Sequence, residues 1–395
     1  MLRIAIASGV RGDTRRYRTF HLYEQCCLLG LNAQLTHSML PRFQSVVQVA
    51  DLLVLHRSAW DPNIQRAIDD IHCRGGKVIY DTDDLLFDPR VFKWIDSPDF
   101  RDPVRAKLYQ DDMQRHWHSM EVCDAIMTST AYLAGQAERA GLPVFVHRNA
   151  YSDEMAAQSD RAMGSSRSDD DAKIIIGYAS GTPTHNRDFE TIGQVLRNIL
   201  DENKQATLWL VGPIKLDRVW LNYKSRILHL PHVPWRLLPA YLARFDINLA
   251  PLVIDNPFSQ SKSEIKWMEA ALVRVPTIAS RTDAYQTAIR SGVTGIVASS
   301  INEWQEALTG LIGDKKKRRA MGAAAREAVI HSYAPEVRAN EFRLVLQQVT
   351  RLDILPVSSR LTNPLTKTEE HFQGVYDPKD VAHLEKTPSI ITIAG

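Results

Sequence analysis

The stretch from Ala250 to Ser280 (APLVIDNPFSQSKSEIKWMEAALVRVPTIAS) carries side chains suited to holding a phosphorylated ligand. A predicted strand is followed by a polar loop with Ser261 and Lys262, and then by a predicted helix. Lys266 and Glu269 are three residues apart in that helix, so they lie close together. A lysine can neutralise a departing phosphate, and a carboxylate can accept the hydroxyls of a ribose. A simple salt bridge is the alternative, and the position of the helix after a strand favours binding.

An acidic loop (DTDDLLFD) directly follows the predicted strand Lys77–Tyr80. Its four carboxylates repel one another unless a partner compensates them. Helix capping, a metal site and contacts to a hydroxyl-rich ligand are three possible explanations. For Asp83 or Asp84 we favour contact with an acceptor, meaning a substrate that receives a transferred group, or a role as general base. We place Asp81 on the same acceptor side of the site. No further metal ligands are identified, so no metal site is predicted.

A third loop (SGTPTHNRD, residues 180–188) links the predicted strand Lys173–Tyr178 to a helix. Small residues between a strand and a helix allow backbone N–H groups to hold a diphosphate. The groups that would do so belong to Ser180, Gly181 and Thr182. His185 is either a catalytic group or an ordinary surface histidine, and Asp188 is expected to cap the helix.

The first loop of the chain (SGVRGDTRRYR, residues 8–18) combines two glycines with four arginines. Backbone at Gly12 could approach a bound anion, and the arginines would supply positive charge. We place Arg15 and Arg18 on the acceptor side of the site. A solvated basic loop without a ligand is an equally reasonable interpretation.

These loops all follow strands in a chain where short strands alternate with helices, a pattern typical of parallel sheets covered on both faces. We predict an α/β fold of two Rossmann-like doubly wound domains facing each other across a cleft. Ligands of such sheets bind outside the carboxyl ends of the strands. The predicted boundaries are 1–158 for the first domain, 159–172 for a polar linker, 173–335 for the second domain and 336–395 for a C-terminal helix and tail.

Composition limits the possible partners of this chain of 395 residues. The formal net charge of +2 gives no reason to expect nucleic acid as a partner. No apolar run approaches the roughly 18 residues that a membrane span needs, and the N-terminus does not resemble a signal peptide. The four cysteines lack metal-site spacing, which favours a cytoplasmic protein. The basic run at residues 315–319 is typical of a solvated face, with peripheral contact to the inner membrane surface as the less favoured alternative.

Several segments resemble the GT-B glycosyltransferases of family four, which are retaining and use nucleotide sugars. The resemblance covers about residues 1–350. It is strongest in IGYASGTPTHNRDF, FDINLAPL, SKSEIKWMEAALVRVPTIAS and the GVTGIV that follows. The segments VIYDTDDLLF and VHRNAYSD resemble the first domain's counterparts, with Asn149 at the usual asparagine. The most similar members act in bacterial surface-polysaccharide or O-antigen assembly.

This resemblance implies transfer of a hexosyl or deoxyhexosyl unit from a nucleoside diphosphate sugar to a saccharide or lipid-linked acceptor, without a metal or other cofactor. Glu269 resembles the second acid of the family's glutamate pair, which holds the donor ribose. Ser261 stands where the first acid is expected. The family's arginine and lysine in the loop at 180–188 are replaced by His185 and Arg187, and Lys262 and Lys266 could supply the missing charge.

Three other functions share this two-domain plan. A nucleotide-sugar epimerase would keep the donor site without an acceptor groove, and a sugar-binding protein would close a cleft on its ligand. A catalytically silent homologue that binds the nucleotide sugar is consistent with Ser261. The donor, the acceptor, the linkage and the oligomeric state are left open by the sequence.

Overall fold

The computed structural model describes residues 2–95, 97–164, 173–181 and 185–357. It contains two six-stranded sheets in which every pair of neighbouring strands is parallel. The first sheet has the order β2-β1-β3-β4-β5-β6 and the second β12-β11-β10-β7-β8-β9. The strands are β1 (Arg3–Ser8), β2 (Asn32–His37), β3 (Leu52–His56), β4 (Lys77–Thr82), β5 (Ala125–Thr128), β6 (Val144–Val146), β7 (Ile174–Ala179), β8 (Ala206–Val211), β9 (Ile227–Leu230), β10 (Ile247–Ala250), β11 (Thr277–Ser280) and β12 (Ile296–Ala298). The predicted α/β fold with two doubly wound halves is confirmed.

Helices connect the strands and cover both faces of each sheet. In the first half they are α1 (His21–Leu28), α2 (Phe43–Val47), α3 (Pro62–Cys73), α4 (Pro103–Glu121) and α5 (Ala131–Ala137). The later helices are α6 (Asp153–Gly164), α7 (Asn186–Glu190), α8 (Gly193–Glu202), α9 (Leu238–Leu242), α10 (Pro257–Gln260), α11 (Ile265–Leu272), α12 (Asp283–Ala288), α13 (Ile301–Gly313), α14 (Lys315–Ser332) and α15 (Pro335–Thr350).

The central strands are continuous apolar runs because helices cover them on both sides. Strand β3, for example, is buried at every position. The edge strands β2 and β9 contain exposed and partly exposed residues. An edge strand has a neighbour on one side only, so its sequence carries a weaker apolar signal. Apolar runs typical of strands occur five times in each half of the sequence, whereas each sheet of the structure has six strands, because β2 and β9 lack such a run.

Local signals account for several helix ends. Helix α3 begins after Asp61, whose carboxylate accepts the backbone N–H groups of Asn63 and Ile64 at 2.8 Å each. It ends before Gly75, whose φ of +76° is a left-handed conformation that glycine adopts without strain. Gly75 directly follows the C-cap residue Arg74, a position where glycine commonly ends a helix.

Some elements differ from the prediction. Apolar residues at helical spacing from Tyr17 to Leu29 predict a helix, but the segment begins with a π-helical turn, Arg16–Phe20, which continues into α1. The polar stretch expected to be a linker from residue 159 is still helical up to Gly164 at the end of α6. There the Ser159 hydroxyl donates to the Met155 carbonyl at 2.8 Å. The rest of that stretch, 165–172, and the tail from residue 358 lie outside the described residues.

Two helices cross between the halves and join them. Helix α6 follows the last strand of the first sheet, yet Met155 and Ala162 pack into hydrophobic clusters of the second half. Helix α15 follows the second sheet, yet Phe342 and Leu346 pack with Leu22 of α1 against the first sheet. These reciprocal contacts tie the two halves together at the end where the chain passes between them.

No helix in the described part of the chain is long and apolar enough to cross a membrane. The basic run at the start of α14 is not wholly solvated. Arg318 is buried, and its guanidinium donates to the carbonyls of Leu311 and Ile312 at 2.7 and 3.0 Å. It thereby satisfies the last carbonyl groups of α13.

Candidate functional site

The two halves meet along the loops at the carboxyl ends of their strands, which we call the interdomain seam. Asn149, after β6, donates to Ser263 Oγ at 3.0 Å, and Arg148 lies 3.5 Å from Glu264. Asn256, which begins α10, donates to the Trp94 carbonyl at 2.9 Å. The seam is therefore closed by polar contacts between loops that the sequence predicted to face each other.

Helix α11 presents its apolar face to the second core and its polar face to the seam. Trp267, Met268 and Leu272 are at most 1% exposed. Lys266 and Glu269 lie on the other side and are partly exposed. This division follows the helical spacing of apolar residues, and it points both charged side chains away from the core.

Lys266 reaches the carboxyl end of β7, the first strand of the second sheet. Its ammonium group donates to the Ala179 carbonyl and lies 5.1 Å from the centre of the Tyr178 ring. Burial lowers the pKa of Lys266 from its usual value. The lysine thus places a positive charge at the start of the loop that was predicted to hold a diphosphate.

Glu269 points toward the first half of the chain. The hydroxyl of Tyr17 donates to its Oε1 across the seam. Burial raises the pKa of Glu269, and the nearby Arg16 guanidinium opposes that shift. Lys266 and Glu269 therefore contact separate partners, although each attracts the other electrostatically.

Lys262 forms an ion pair across the seam. Its ammonium group lies 2.9 and 3.0 Å from the two carboxylate oxygens of Asp84, in the acidic loop after β4. The two side chains are 24% and 10% exposed. Arg57 lies 3.4 Å from the same carboxylate. Asp84 is thus shared between a cation of each half.

Asp83 is held by His56, the last residue of β3, and by Arg57, which follows it. Arg57 Nε donates to its Oδ1 at 2.5 Å, and His56 Nε2 lies 3.2 Å from the same oxygen. Burial alone would raise the pKa of Asp83, but Arg57 and His56 hold it well below its usual value. A carboxylate stabilised so strongly in its ionised form is a weak base near neutral pH. The structure therefore does not favour Asp83 as the general base.

Arg57 has a strained backbone at this point of the site. Its φ of +43° is unusual for a residue with a side chain. A Cβ on Gly9 would lie 2.2 Å from the Arg57 carbonyl, so only glycine fits beside it. The packing of Gly9 and the ion pairs with Asp83 and Asp84 together hold Arg57 in this conformation.

Arg18 and Asp81 are buried together beneath the site. Their side chains are 1% and 0% exposed, and Arg18 Nε donates to Asp81 Oδ2 at 3.1 Å. A second guanidinium nitrogen pairs with the other oxygen, and a third donates to the His147 carbonyl at 2.6 Å. The acceptor contact expected of Arg18 and Asp81 is therefore replaced by a structural ion pair. Asp81 turns inward because β4 continues to Thr82, beyond the predicted end at Tyr80.

Two groups that were expected to contact the donor, on Ser261 and Ser180, instead form hydrogen bonds within the protein. Ser261 is 0% exposed, and its hydroxyl donates to the Phe258 carbonyl at 2.7 Å. The Ser180 amide donates to the Val211 carbonyl at 2.8 Å, so it continues the pairing of the sheet. Gly181 is exposed, and no atom would contact a Cβ there within 4 Å. Thr182 lies outside the described residues.

His185 is held by an acid rather than exposed to solvent. Its Nδ1 lies 2.9 Å from Asp188 Oδ2, and the other oxygen of Asp188 accepts the Val253 amide at 3.1 Å. Asp188 thus orients the imidazole and anchors the loop after β10, in place of the expected helix cap. Burial lowers the pKa of His185, and Lys266 and Lys262 act in the same direction. The histidine therefore belongs to the same charged cluster as both lysines.

The first loop lies at the edge of the site. Gly12 is exposed and has a φ of +85°, a conformation that glycine adopts without strain. Arg15 is partly buried, with its guanidinium 5.5 Å from the centre of the Phe20 ring. Their expected contacts with donor and acceptor stay predictions. No group of three or more potential metal ligands converges among the residues that the structure describes.

Sequence reasoning missed Tyr17, Arg16 and Arg57. Arg57 directly follows a strand that was predicted correctly, so the same rule that selected the other loops would have selected it. Arg16 and Tyr17 lie at the end of the first loop, but their role depends on how the two halves meet. No pattern within the first half alone indicates that contact.

Comparison with known proteins gives a family match to part of the chain. Residues 190–343, less than half of the chain, match a family described as glycosyl transferase-like. The matched range includes Lys262, Lys266 and Glu269. No curated protein sequence shows significant similarity to the chain.

Solved structures with the same architecture are distant in sequence. HepE from Anabaena, solved with UDP-glucose, is 13% identical with a TM-score of 0.55, over 88% of this chain and 100% of that one. Sucrose-phosphate synthase from Thermosynechococcus elongatus is 13% identical with a TM-score of 0.59, over 89% and 100% of the two chains. TarM from S. aureus is 10% identical with a TM-score of 0.54, over 76% and 57%. The fold is the GT-B fold.

Proposed function

We propose that the chain transfers a hexosyl or deoxyhexosyl unit from a nucleoside diphosphate sugar to a hydroxyl of a saccharide or lipid-linked saccharide. The observation that carries this proposal is that Lys262, Lys266 and Glu269, in one loop and the helix that follows it, all lie at the seam near the carboxyl ends of β7 and β10. That placement is where parallel sheets bind their ligands. The glycosyl transferase-like family match to the same residues supports it.

The donor would occupy the second half. Lys266 lies at the end of β7 and Lys262 projects from the loop after β10, so both could neutralise the charge that develops on the leaving diphosphate. Glu269 would accept the hydroxyls of the pentose. His185, oriented by Asp188, would add a hydrogen-bond donor near the same phosphates. Each role uses a side chain that already points into the seam.

The acceptor would bind on the first half, beside the acidic loop. Asp84 and Asp83 are both neutralised by cations, so we assign them to positioning and hydrogen bonding rather than to proton abstraction. In the mechanism that we propose, the leaving phosphate itself takes the proton of the acceptor hydroxyl, and the configuration at the anomeric carbon is retained. Closure of the seam would keep water from hydrolysing the donor.

This proposal includes a setting for the reaction. We propose cytoplasmic assembly of a cell-surface polysaccharide or O-antigen, with peripheral contact to the inner face of the membrane where the acceptor is lipid-linked. HepE and TarM have been solved with UDP, and HepE with UDP-glucose. These ligands make UDP-sugars the first donors to test. No metal or other cofactor is required by the proposed roles.

The test is a panel of UDP-, GDP-, ADP- and dTDP-sugars, scored first by thermal shift. A specific donor stabilises the folded protein by mass action, by about 2.7 kcal/mol at a hundredfold excess over its Kd. Glu269→Ala should remove this shift without unfolding the protein. Glu306→Ala is the matched control, because Glu306 is an exposed glutamate on α13. A full shift in Glu269→Ala would contradict the proposed donor site.

Release of nucleoside diphosphate then separates transfer from binding. Turnover that depends on an added saccharide supports the transferase. A silent nucleotide-sugar-binding homologue is the second candidate, because Asp83 and Asp84 are both engaged and Ser261 is buried. Tight donor binding without release, across the whole acceptor panel, would favour that candidate.

A further inference from the structure

Tyr17 belongs to the first half of the chain but is buried in the second. It is 7% exposed and packs in a hydrophobic cluster with Leu252, Trp267 and Met268. Its hydroxyl donates to Glu269 Oε1. A tyrosine ring buried among apolar groups usually directs its hydroxyl to a polar partner, and here that partner is a proposed donor-binding group.

In the described part of the chain, the Glu269 carboxylate is engaged through one of its two oxygens. Among the described residues, Oε1 accepts from Tyr17, and Oε2 has no hydrogen-bond partner. A carboxylate has two oxygens with about four acceptor positions in total. Tyr17 therefore fixes the direction of the carboxylate and leaves the second oxygen available to a ligand.

The turn that carries Tyr17 is itself anchored on the second half. The Arg16 guanidinium lies 4.4 Å from the centre of the Tyr17 ring and 4.5 Å from that of Trp235. One of its nitrogens lies 3.1 Å from Met155 Sδ. The turn is π-helical, a rare geometry that is frequently found at functional sites. Stacking of Arg16 thus holds Tyr17 in reach of Glu269 in this closed arrangement of the halves.

We propose that Tyr17 is a positioning residue of the donor site, which orients the Glu269 carboxylate toward the donor pentose only when the two halves are closed. This inference rests on the proposed function, since it gives Glu269 the role assigned there. It adds a contribution from the first half to a site otherwise built by the second. Nucleotide binding and closure of the seam are then coupled through one hydrogen bond.

Several charged and titratable groups face Glu269 and have to be considered together. Arg16 and Tyr17 approach from the first half, Lys266 from the preceding turn of α11, and Tyr285 from α12. Asp13, in the first loop, acts in the opposite direction to the two cations. The Tyr17 hydroxyl stabilises the ionised carboxylate, so its removal should raise the pKa of Glu269.

The test is a titration of the whole chain with UDP, GDP, ADP and dTDP by calorimetry from pH 5 to 8, in wild type and Tyr17→Phe. The variant keeps the ring and removes only the hydroxyl. We expect it to bind the preferred nucleotide about tenfold more weakly at pH 7, as for loss of one hydrogen bond to a charged group. The acid midpoint of binding, which is the pH at which acidification has abolished half of the nucleotide binding, should rise by about one pH unit.

Tyr333→Phe is the matched control, since Tyr333 also donates to a glutamate beside α11, Glu264, at 2.6 Å. It should leave the nucleotide Kd and the midpoint unchanged. In a Glu269→Gln background, Tyr17→Phe should add no further pH dependence. If Tyr17→Phe is poorly folded by circular dichroism, Arg16→Gln should move the midpoint in the same direction.

Two failures can be told apart. If the wild type binds none of the four nucleotides, the proposed function is wrong and this inference with it. If the wild type binds and Tyr17→Phe has the same Kd and the same midpoint, only the role of Tyr17 is overturned. A stability loss in Tyr17→Phe with unchanged binding would likewise assign Tyr17 to packing alone.

Discussion

Removal of Arg18 tests whether its pair with Asp81 is structural. The two side chains are 1% and 0% exposed and are joined by two hydrogen bonds, and Arg18 also donates to the His147 carbonyl and to Asn149. Arg18→Met would leave the Asp81 carboxylate buried without a cation. Breaking a buried ion pair by removing one partner costs about 3–5 kcal/mol. For a unit of 150–250 residues this corresponds to a fall in Tm of roughly 6–20 °C.

The measurement is thermal unfolding followed by circular dichroism at pH 7. Arg3→Met is the matched control, because Arg3 makes the same two-pronged contact with Asp51 on the surface, where the side chains are 51% and 38% exposed. We expect little change there, since solvent screens an exposed pair. Arg18→Met/Asp81→Leu should recover part of the loss. A stable Arg18→Met with weakened acceptor binding would refute the structural role and restore Arg18 to the acceptor site.

Three further predictions concern the charges at the seam. Lys262→Met and Asp84→Asn should each increase the radius of gyration of the ligand-free protein in small-angle scattering, because their ion pair joins the halves; unchanged scattering in both would contradict this. Burial lowers the pKa of Lys266, so on raising the pH this lysine loses its charge earlier than a free lysine does. Nucleotide affinity should therefore fall as the pH rises into the alkaline range, and Lys266→Arg should remove the fall. Asp83 stays ionised across neutral pH, so in Asp83→Asn the turnover rate should fall at the same acid pH as in the wild type. The free energy of unfolding, measured in urea, should drop by about 1.5–3 kcal/mol. A shift in the pH at which turnover falls would restore Asp83 as the base.

The fold was largely predictable because its central strands are buried on both faces. Strands such as β3 and β7 appear in the sequence as uninterrupted apolar runs between turn signals. The strands that were missed, β2 and β9, are edges with partly exposed residues. Their pairing depends on the neighbouring strand rather than on a local pattern.

The site was predictable where chemistry and position agree within one segment. Lys262, Lys266 and Glu269 lie in one loop and helix, and the rule for strand ends located them. Arg18 and Asp81 were misassigned, because a charge near a strand end can point inward or outward according to the length of the strand. A difference of two residues in the end of β4 decided that question.

Contacts between the halves were beyond sequence reasoning. The pairing of Tyr17 with Glu269 joins residues 252 positions apart, and that of Lys262 with Asp84 joins residues 178 apart. Each residue alone has an ordinary explanation, a buried aromatic ring or a solvated charge. Their joint role follows only from the closed arrangement of the two sheets.

A crystal structure of the protein with a bound nucleoside diphosphate, such as UDP, tests the central claim most directly. We predict diphosphate density beside Lys262 and Lys266, with the pentose hydroxyls on Glu269 Oε2. Density for the nucleotide on the first sheet, or anywhere out of reach of α11, would contradict the assignment of the donor site.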